Sequence, residues 1–259
     1  MKHSLTEQMI RTAAGLLEDN KTCFVGSGLP LAAASLAKKT HAPNLILVFE
    51  AGGFDPEFTR LPLSVGESIT FYHATYAGGM DDIMGDAGKG MVDYGFLGGA
   101  QIDMYGNLNS TVIGDYFHPK ARFPGSGGAN DVGSLCFKTI AIMRHEKRRF
   151  LEHVDFITTP GYLDGPGGRE RAGLPAPGGP WRVVTTLGMM GYDDETKRME
   201  LLGVYEGVTK DDVIKETGFE LIIKAEPEIL PAPTSEEIRI FREEIDPVGV
   251  ISGKSKGKD

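Results

Sequence analysis

Behind Ser4 the apolar positions Met9, Ile10, Ala13, Ala14, Leu16 and Leu17 recur at helical spacing, and Ser4 with Glu7 makes a capping box. The spacing predicts an opening amphipathic helix whose role is packing. Residues 21–25 then read as a short strand, broken by Gly26-Ser27-Gly28. Leu29-Pro30 opens a second helix through Lys39, with proline allowed in its first turn. His41-Ala42-Pro43 stops that helix, and residues 44–49 form a strand apolar on both faces. Two such strands joined through a helix make a right-handed βαβ unit with a buried parallel pair.

Shorter strand-like runs follow at 68–72, 94–97, 139–143, 154–158, 181–186, 199–203 and 220–223. Helices are expected at 211–216, entered from Thr209 and closed by Gly218, and at 234–245. The second of these has Thr234 and Glu237 as a capping box and Asp246-Pro247 as its stop. Residues 161–180 hold seven glycines and four prolines with no apolar period, and a loop this long is usually functional or an interface segment. No repeat and no break in composition appears. The expectation is one α/β domain over 1–250, a mainly parallel sheet flanked by helices, with a disordered tail at 251–259.

Composition narrows the class. The 259 residues are 41% hydrophobic and 24% charged, enough for a sizeable core. The longest apolar runs are strand-sized, far below a membrane span. The N-terminus turns acidic at Glu7 before a hydrophobic stretch develops, so no signal peptide is expected. A net charge of -9 argues against sequence-independent nucleic-acid binding. Cys23 and Cys136 form no disulfide framework. A cytoplasmic globular protein is expected.

Several positions are candidates for chemistry. Gly26-Ser27-Gly28, between strand and helix, either cradles an anion on free N–H groups or is a tight turn needing positive φ. It lacks the third glycine of the dinucleotide fingerprint. Glu50 lies at the carboxyl end of an apolar strand and is followed by Ala51-Gly52-Gly53. Ligands of open α/β sheets bind at such ends, and the glycines let substrate or backbone come close; an ordinary strand-end carboxylate is the plainer reading. Residues 98–109 combine a strand end, a turn and a polar return, and their Asn and Asp also suit simple turns. Pro124-Gly125-Ser126-Gly127-Gly128-Ala129-Asn130 can aim several N–H groups at one oxygen. The basic run Arg144-His145-Glu146-Lys147-Arg148-Arg149 reads as a phosphate contact or a solvated face. The six histidines show no ligand spacing, so no metal site is expected.

Taken together, these pieces resemble the beta subunits of class I CoA-transferases, the glutaconate-type members nearest. The resemblance is carried by Gly26-Ser27-Gly28-Leu29-Pro30-Leu31, Gly98-Gly99-Ala100-Gln101-Ile102-Asp103, and Gly106-Asn107-Leu108-Asn109-Ser110-Thr111 running on to Ile113-Gly114-Asp115-Tyr116. His118-Pro119-Lys120, Gly125-Ser126-Gly127-Gly128-Ala129-Asn130, His145-Glu146-Lys147-Arg148-Arg149-Phe150, Asp164-Gly165-Pro166-Gly167-Gly168-Arg169 and Arg242-Glu243-Glu244-Ile245-Asp246-Pro247 complete it. It implies the fold these enzymes share with sugar-phosphate isomerases, and a strand-end glutamate nucleophile, here Glu50 in Glu50-Ala51-Gly52. Serine or asparagine is more usual in the middle, so Ala51 departs from the pattern and bears on substrate preference.

The resemblance further implies ping-pong transfer of CoA between an acyl-CoA and a small dicarboxylic or related acid such as glutaconate. Backbone N–H groups near Gly127, Gly128 and Ala129, with Gln101, Gly26 and Gly28, would serve the oxyanion and CoA. No permanent cofactor is implied; coenzyme A enters as acyl-CoA substrate and covalent intermediate. An alpha subunit is implied as partner, in a hetero-oligomer of α2β2 or larger form. The alternatives are a same-fold CoA-ester hydrolase of ring-opening type or a decarboxylase subunit, relatives that lack the strand-end glutamate. A sugar-phosphate sensor domain is the non-catalytic alternative, and it would carry a helix-turn-helix segment.

Overall fold

The computed structural model describes residues 2–58 and 60–253. The chain divides into two compact units, one made of residues up to Asp86 with those from Ala232, the other Ala87–Pro231. In the first unit, α1 (Leu5–Ala14) starts at the expected capping box, with Ser4 Oγ accepting from Glu7 N at 3.2 Å. β1 (Thr22–Phe24), α2 (Leu29–Thr40) and β2 (Ile46–Val48) form the expected βαβ unit, Thr22 to Phe24 running parallel to Ile46 to Val48. Every residue of α2 from Leu31 to Ala37 is buried. β3 (Gly53–Phe54) and β4 (Tyr76–Ala77) continue this sheet antiparallel, and α3 (Met80–Gly88) follows.

A strand was expected at 68–72, but Ser68–Phe71 is a 3₁₀ turn. Both the N–H and the hydroxyl of buried Thr70 donate to Glu67 O, at 2.9 and 2.8 Å. These local bonds take the place of a ladder.

The second unit contains β5 (Tyr94–Leu97), β6 (Gln101–Asp103), β7 (Leu108–Asn109), β8 (Val112–Gly114) and β9 (Pro119–Arg122). Then come α4 (Ala129–Leu135), β10 (Lys138–Met143), β11 (Phe150–Leu151), α5 (Gly168–Arg171) and β12 (Pro180–Thr185). β13 (Gly188–Tyr192), β14 (Met199–Val204), α6 (Lys210–Lys215) and β15 (Glu228–Ile229) complete it. Its main sheet has the order β15-β14-β13-β12-β10-β5. The apolar β10 pairs parallel with both β5 and β12, while β12, β13 and β14 form an antiparallel meander. β11-β6-β7 is a small separate sheet, and β8 with β9 is a hairpin.

The strands expected at 154–158 and 220–223 do not form. Residues 154–158 are irregular because side chains fasten them: Asp155 accepts from Gln101 and Gly114, and Thr158 Oγ1 accepts from Ser110 N. Residues 220–223 make only a bridge from Ile222 to Glu200, after which Lys224 turns to Asp193 and Glu200.

The last helix returns to the first unit as α7 (Ser235–Arg239), capped by Thr234 and Glu237, and continues as one π-helical stretch over Ile240–Ile245. Arg242 grips buried Glu7 of α1 through two bonds of 2.6 and 3.0 Å. Most of the expected tail, residues 254–259, lies outside the described residues; Ile251 and Ser252 donate N–H to Asp246 Oδ2. The fold is α/β, with parallel pairing of the apolar strands β1, β2, β5, β10 and β12 and helices packed beside them. Among the described residues no helix is long and apolar enough to cross a membrane.

Candidate active site

Glu50 sits in the turn that follows β2. Phe49 N donates to Gly53 O and Gly52 N to Phe49 O, both at 2.9 Å, closing a tight hairpin around Glu50 and Ala51. Fully buried Phe49, edge-on to Phe58 at 6.2 Å, anchors the turn from below. The Glu50 carboxylate is half-buried and has no hydrogen bond or ion pair among the described residues. Such a group is held by its backbone and left chemically free.

The glycines after Glu50 serve the protein's own backbone. Gly52 has φ +118°, and a Cβ there would lie 2.0 Å from Gly78 O; one on Gly53 would lie 1.9 Å from Thr70 O. Gly78 N donates to Gly52 O at 2.9 Å. Bare glycines let the neighbouring chain close over the turn.

Val25 N donates to Val48 O, which brings the loop 26–28 beside the end of β2. Gly28 has φ +82° and precedes α2 without a side-chain cap. A Cβ on Gly26 or Gly28 would meet nothing within 4 Å, so both border open space. Gly28 thus has the positive φ of a turn, at the N-terminus of α2, with open space on its Cα side.

In the second unit the candidate residues separate. Gly125 and Gly127 have φ +95° and +49°, and Gly128 returns to -79°. A left-handed residue followed by a right-handed one turns successive N–H groups to one side. The N–H groups of Gly127 and Gly128 make no hydrogen bond among the described residues. That of Ala129 is already spent on Ser126 O at 2.9 Å. The loop is pinned by Ser110, whose Oγ donates to Gly125 O and whose carbonyl accepts from Gly125 N, and by Asn130 Nδ2 on Thr158 O.

Gln101 is only 3% exposed, and its amide is engaged. Oε1 accepts from Asn109 Nδ2 at 2.6 Å and Asp155 N at 3.1 Å, and Nε2 donates to Asp155 Oδ2 at 2.9 Å. Its visible work is to fasten β6, β7 and residue 155 together. Nearby Asp103 is buried, and burial pushes its carboxyl up to about 6 against three hydrogen bonds that favour the charged form.

The basic run 144–149 folds on itself. Glu146 takes both Arg148 and Arg149, and His145 is buried, its pKa lowered to about 4 by desolvation. Among the described residues no group of three or more His, Cys, Asp or Glu is placed to hold a metal. Cys23 and Cys136 are both buried and are not joined in a disulfide; burial pushes the Cys136 thiol up to about 12.

Sequence reasoning missed the role of Arg169. Only 4% exposed, it donates to the carbonyls of Gly133, Gly161 and Ser134 at 3.0–3.1 Å, with Pro160 O at 3.4 Å. The glycine-rich loop wraps around this guanidinium, Gly178 and Gly179 lying against it. The signal was present only as a glycine-dense loop around one arginine.

The Coenzyme A transferase family model matches residues 6–216. The B subunit of glutaconate CoA-transferase from Acidaminococcus fermentans is 43% identical over 249 residues, 93% of this chain and 92% of that one. The B subunit of 3-oxoadipate CoA-transferase from Pseudomonas knackmussii is 35% identical over 248 residues, again 93% and 92%. The crystal structure of glutaconate CoA-transferase from A. fermentans superposes with a TM-score of 0.92 at 41% identity, covering 96% of this chain and 97% of that one. With motifs and fold in agreement, the chain belongs to the coenzyme A transferase family and is an enzyme of that kind.

Proposed function

We propose that this chain is the glutamate-bearing subunit of a two-subunit, cytoplasmic acyl-CoA:carboxylate CoA-transferase, and that Glu50 is its nucleophile. The observation that carries this reading is the unpartnered carboxylate of Glu50 at the end of β2. The relatives named as B subunits of glutaconate and 3-oxoadipate transferases support an alpha-type partner and a small dicarboxylic acid as substrate.

Moving CoA between two carboxylic acids exchanges one thioester for another, so the reaction needs no external energy source. Glu50 attacks the thioester carbonyl of the acyl-CoA; the C–S bond breaks, giving an acyl-glutamyl anhydride and CoA thiolate. The thiolate attacks the glutamyl carbonyl and releases the free acid, leaving CoA as a thioester of Glu50. The acceptor acid reverses these steps, in a ping-pong course that splits one hard step into easier ones. A carboxylate is a weak nucleophile, so binding energy from the remote part of CoA has to support the reacting centre.

Each tetrahedral intermediate requires an oxyanion donor, and one such donor contributes about 3 kcal/mol. The unspent N–H groups of Gly127 and Gly128 are suited to that role. The engaged amides of Ala129 and Gln101 suit support of the loop and strand better. Gly26 and Gly28 suit an anionic part of CoA.

Purified alone, the chain is expected to be inactive, and mixing with an alpha-type subunit is expected to start CoA transfer from acetyl-CoA to a dicarboxylic acid. Transfer by the single chain at ordinary concentrations would overturn the two-subunit reading.

A further inference from the structure

The β8–β9 hairpin ends in an exposed tip, Asp115 to His118. Asp115 Oδ1 accepts from Phe117 N at 2.9 Å and from His118 N at 2.8 Å, so the tip is fixed rather than loose. His118 Nδ1 is 3.2 Å from the same oxygen. Phe117 is 82% exposed and meets Tyr116 in a T-shaped contact, ring centroids 5.3 Å apart. Tyr116 is backed by Phe156, stacked at 5.5 Å, and by the Arg122 guanidinium, 5.0 Å from its centroid.

Three nitrogen-bearing side chains follow one another at and after this tip, His118, Lys120 and Arg122. His118 stands just before β9, and Lys120 is the extra residue where the pairing shifts from Gly114–Pro119 to Ile113–Ala121, a bulge that turns it out of the ladder. Lys120 is exposed, with no hydrogen bond or ion pair from its amine among the described residues. This cluster stands out on a chain whose net charge is -9. Asp115, which its own tip occupies, and Asp155, bound to Gly114 N and Gln101, are the carboxylates beside it.

The hairpin also leads straight into the glycine loop. Phe123 N donates to Thr111 O and Gly125 N to Ser110 O, so the base of the hairpin and residues 125–128 are one continuous piece. From His118 to Pro124 the chain spans roughly 20 Å if extended, the order of length of an extended pantetheine arm. We propose that the β8–β9 hairpin binds the nucleotide end of CoA, the adenine against Phe117 and the phosphates along Lys120 and His118. Aromatic faces stack on any base, and a lysine amine neutralises phosphate as a point charge. The remote binding energy that a weak nucleophile requires would then come from this hairpin; in this the proposal rests on the transferase reading above.

The test is an equilibrium one that requires no chemistry. The full-length chain is titrated by calorimetry with desulfo-CoA, adenosine 3′,5′-bisphosphate and 4′-phosphopantetheine. Phe117→Ala and Lys120→Ala should each weaken the first two ligands about tenfold, and Phe117→Ala, which removes only the base contact, should leave the third unchanged, with the thermal transition preserved. Lys120→Ala should also make desulfo-CoA binding less sensitive to salt. Unchanged affinity for desulfo-CoA in both variants would overturn the proposal. So would normal nucleotide binding combined with failure to assemble with an alpha-type subunit, which would make the hairpin a subunit contact. If the assembled wild type transfers no CoA while nucleotide affinity still depends on Phe117 and Lys120, the catalytic reading falls and the nucleotide site stands.

Discussion

The imidazole of His145 lies flat on the ring of Phe150, 3.9 Å between centroids and 3° from parallel. Its Nε2 is 3.0 Å from Thr217 Oγ1, whose own hydrogen goes to Val213 O, so Nε2 carries the proton. Thr185 Oγ1 lies 3.1 Å from Nδ1 and also 3.1 Å from Gly188 O, so its one hydrogen is divided between these two acceptors. Burial in this pocket favours the neutral ring.

This arrangement makes stability depend on pH. Desolvation lowers His145 to about 4, against an ordinary value of 6.5. Between these limits the unfolded chain binds more protons, so the His145 contribution is lost as pH falls from 6.5 to 4, at up to about 1.4 kcal/mol per unit. Asp103 acts oppositely: burial raises it to about 6, so its contribution is lost as pH rises from 3.8 to 6. Urea unfolding of wild type and His145→Gln from pH 7.5 to 4.5 separates the two. The stability advantage of wild type should shrink steadily below pH 6.5, and a constant difference would refute the neutral-ring account.

Gly52 and Gly26 should answer alanine in opposite ways. Gly52→Ala combines a left-handed φ with a Cβ 2.0 Å from Gly78 O, and should cost about 2 kcal/mol or more with loss of transfer. Gly26→Ala meets nothing within 4 Å and should stay within about 0.5 kcal/mol of wild type. Thermal melts of both variants check the pair; equal losses would mean that the hairpin closure is misread.

Arg169→Met should unfold the loop that surrounds it. The substitution leaves the carbonyls of Gly133, Ser134 and Gly161 buried without their donor, a loss of about 3–5 kcal/mol by the cost of unpaired buried groups. Arg169→Lys restores one charge but cannot fork, so it should recover only part. Denaturation midpoints of the two variants measure this, and a loss below about 1 kcal/mol for methionine would show that water replaces the guanidinium.

What the sequence made legible was local. The capping boxes Ser4–Glu7 and Thr234–Glu237 stand within three residues of each other and mark real helix starts. The runs at 94–97 and 139–143 are apolar enough to be strands in any company. β13 escaped because Gly188 and Gly191 look like turn residues. A Cβ at 188 would lie 2.2 Å from Gly203 O, and one at 191 would lie 2.8 Å from Leu202 Cδ1. Glu50 was legible as a strand-end carboxylate beside glycines. That the glycines make room for Gly78 and Thr70, distant along the chain, was not. Arg169 carries no local signal, since its partners are carbonyls, which every residue has.

The proposal for Glu50 has the sharpest chemical consequence. Acyl-CoA given without an acceptor acid should leave CoA on Glu50 as a thioester, and borohydride should reduce it to the alcohol. The enzyme should lose activity, with a mass change confined to the Glu50 peptide. Glu50→Ala should abolish labelling and transfer yet leave the fold intact, because the carboxylate makes no bond to its own chain among the described residues. Glu50→Asp withdraws the carboxylate by one methylene, about 1.5 Å, enough to lose near-attack geometry. Its transfer should fall at least about a hundredfold, on the order expected for an ångström-scale misplacement. The residual turnover should shift toward hydrolysis as water occupies the vacated space. Normal transfer by Glu50→Ala, or borohydride labelling at another residue, would assign the nucleophile elsewhere. Slow hydrolysis or decarboxylation of one CoA ester by Glu50→Ala would instead point to chemistry this fold supports without the glutamate.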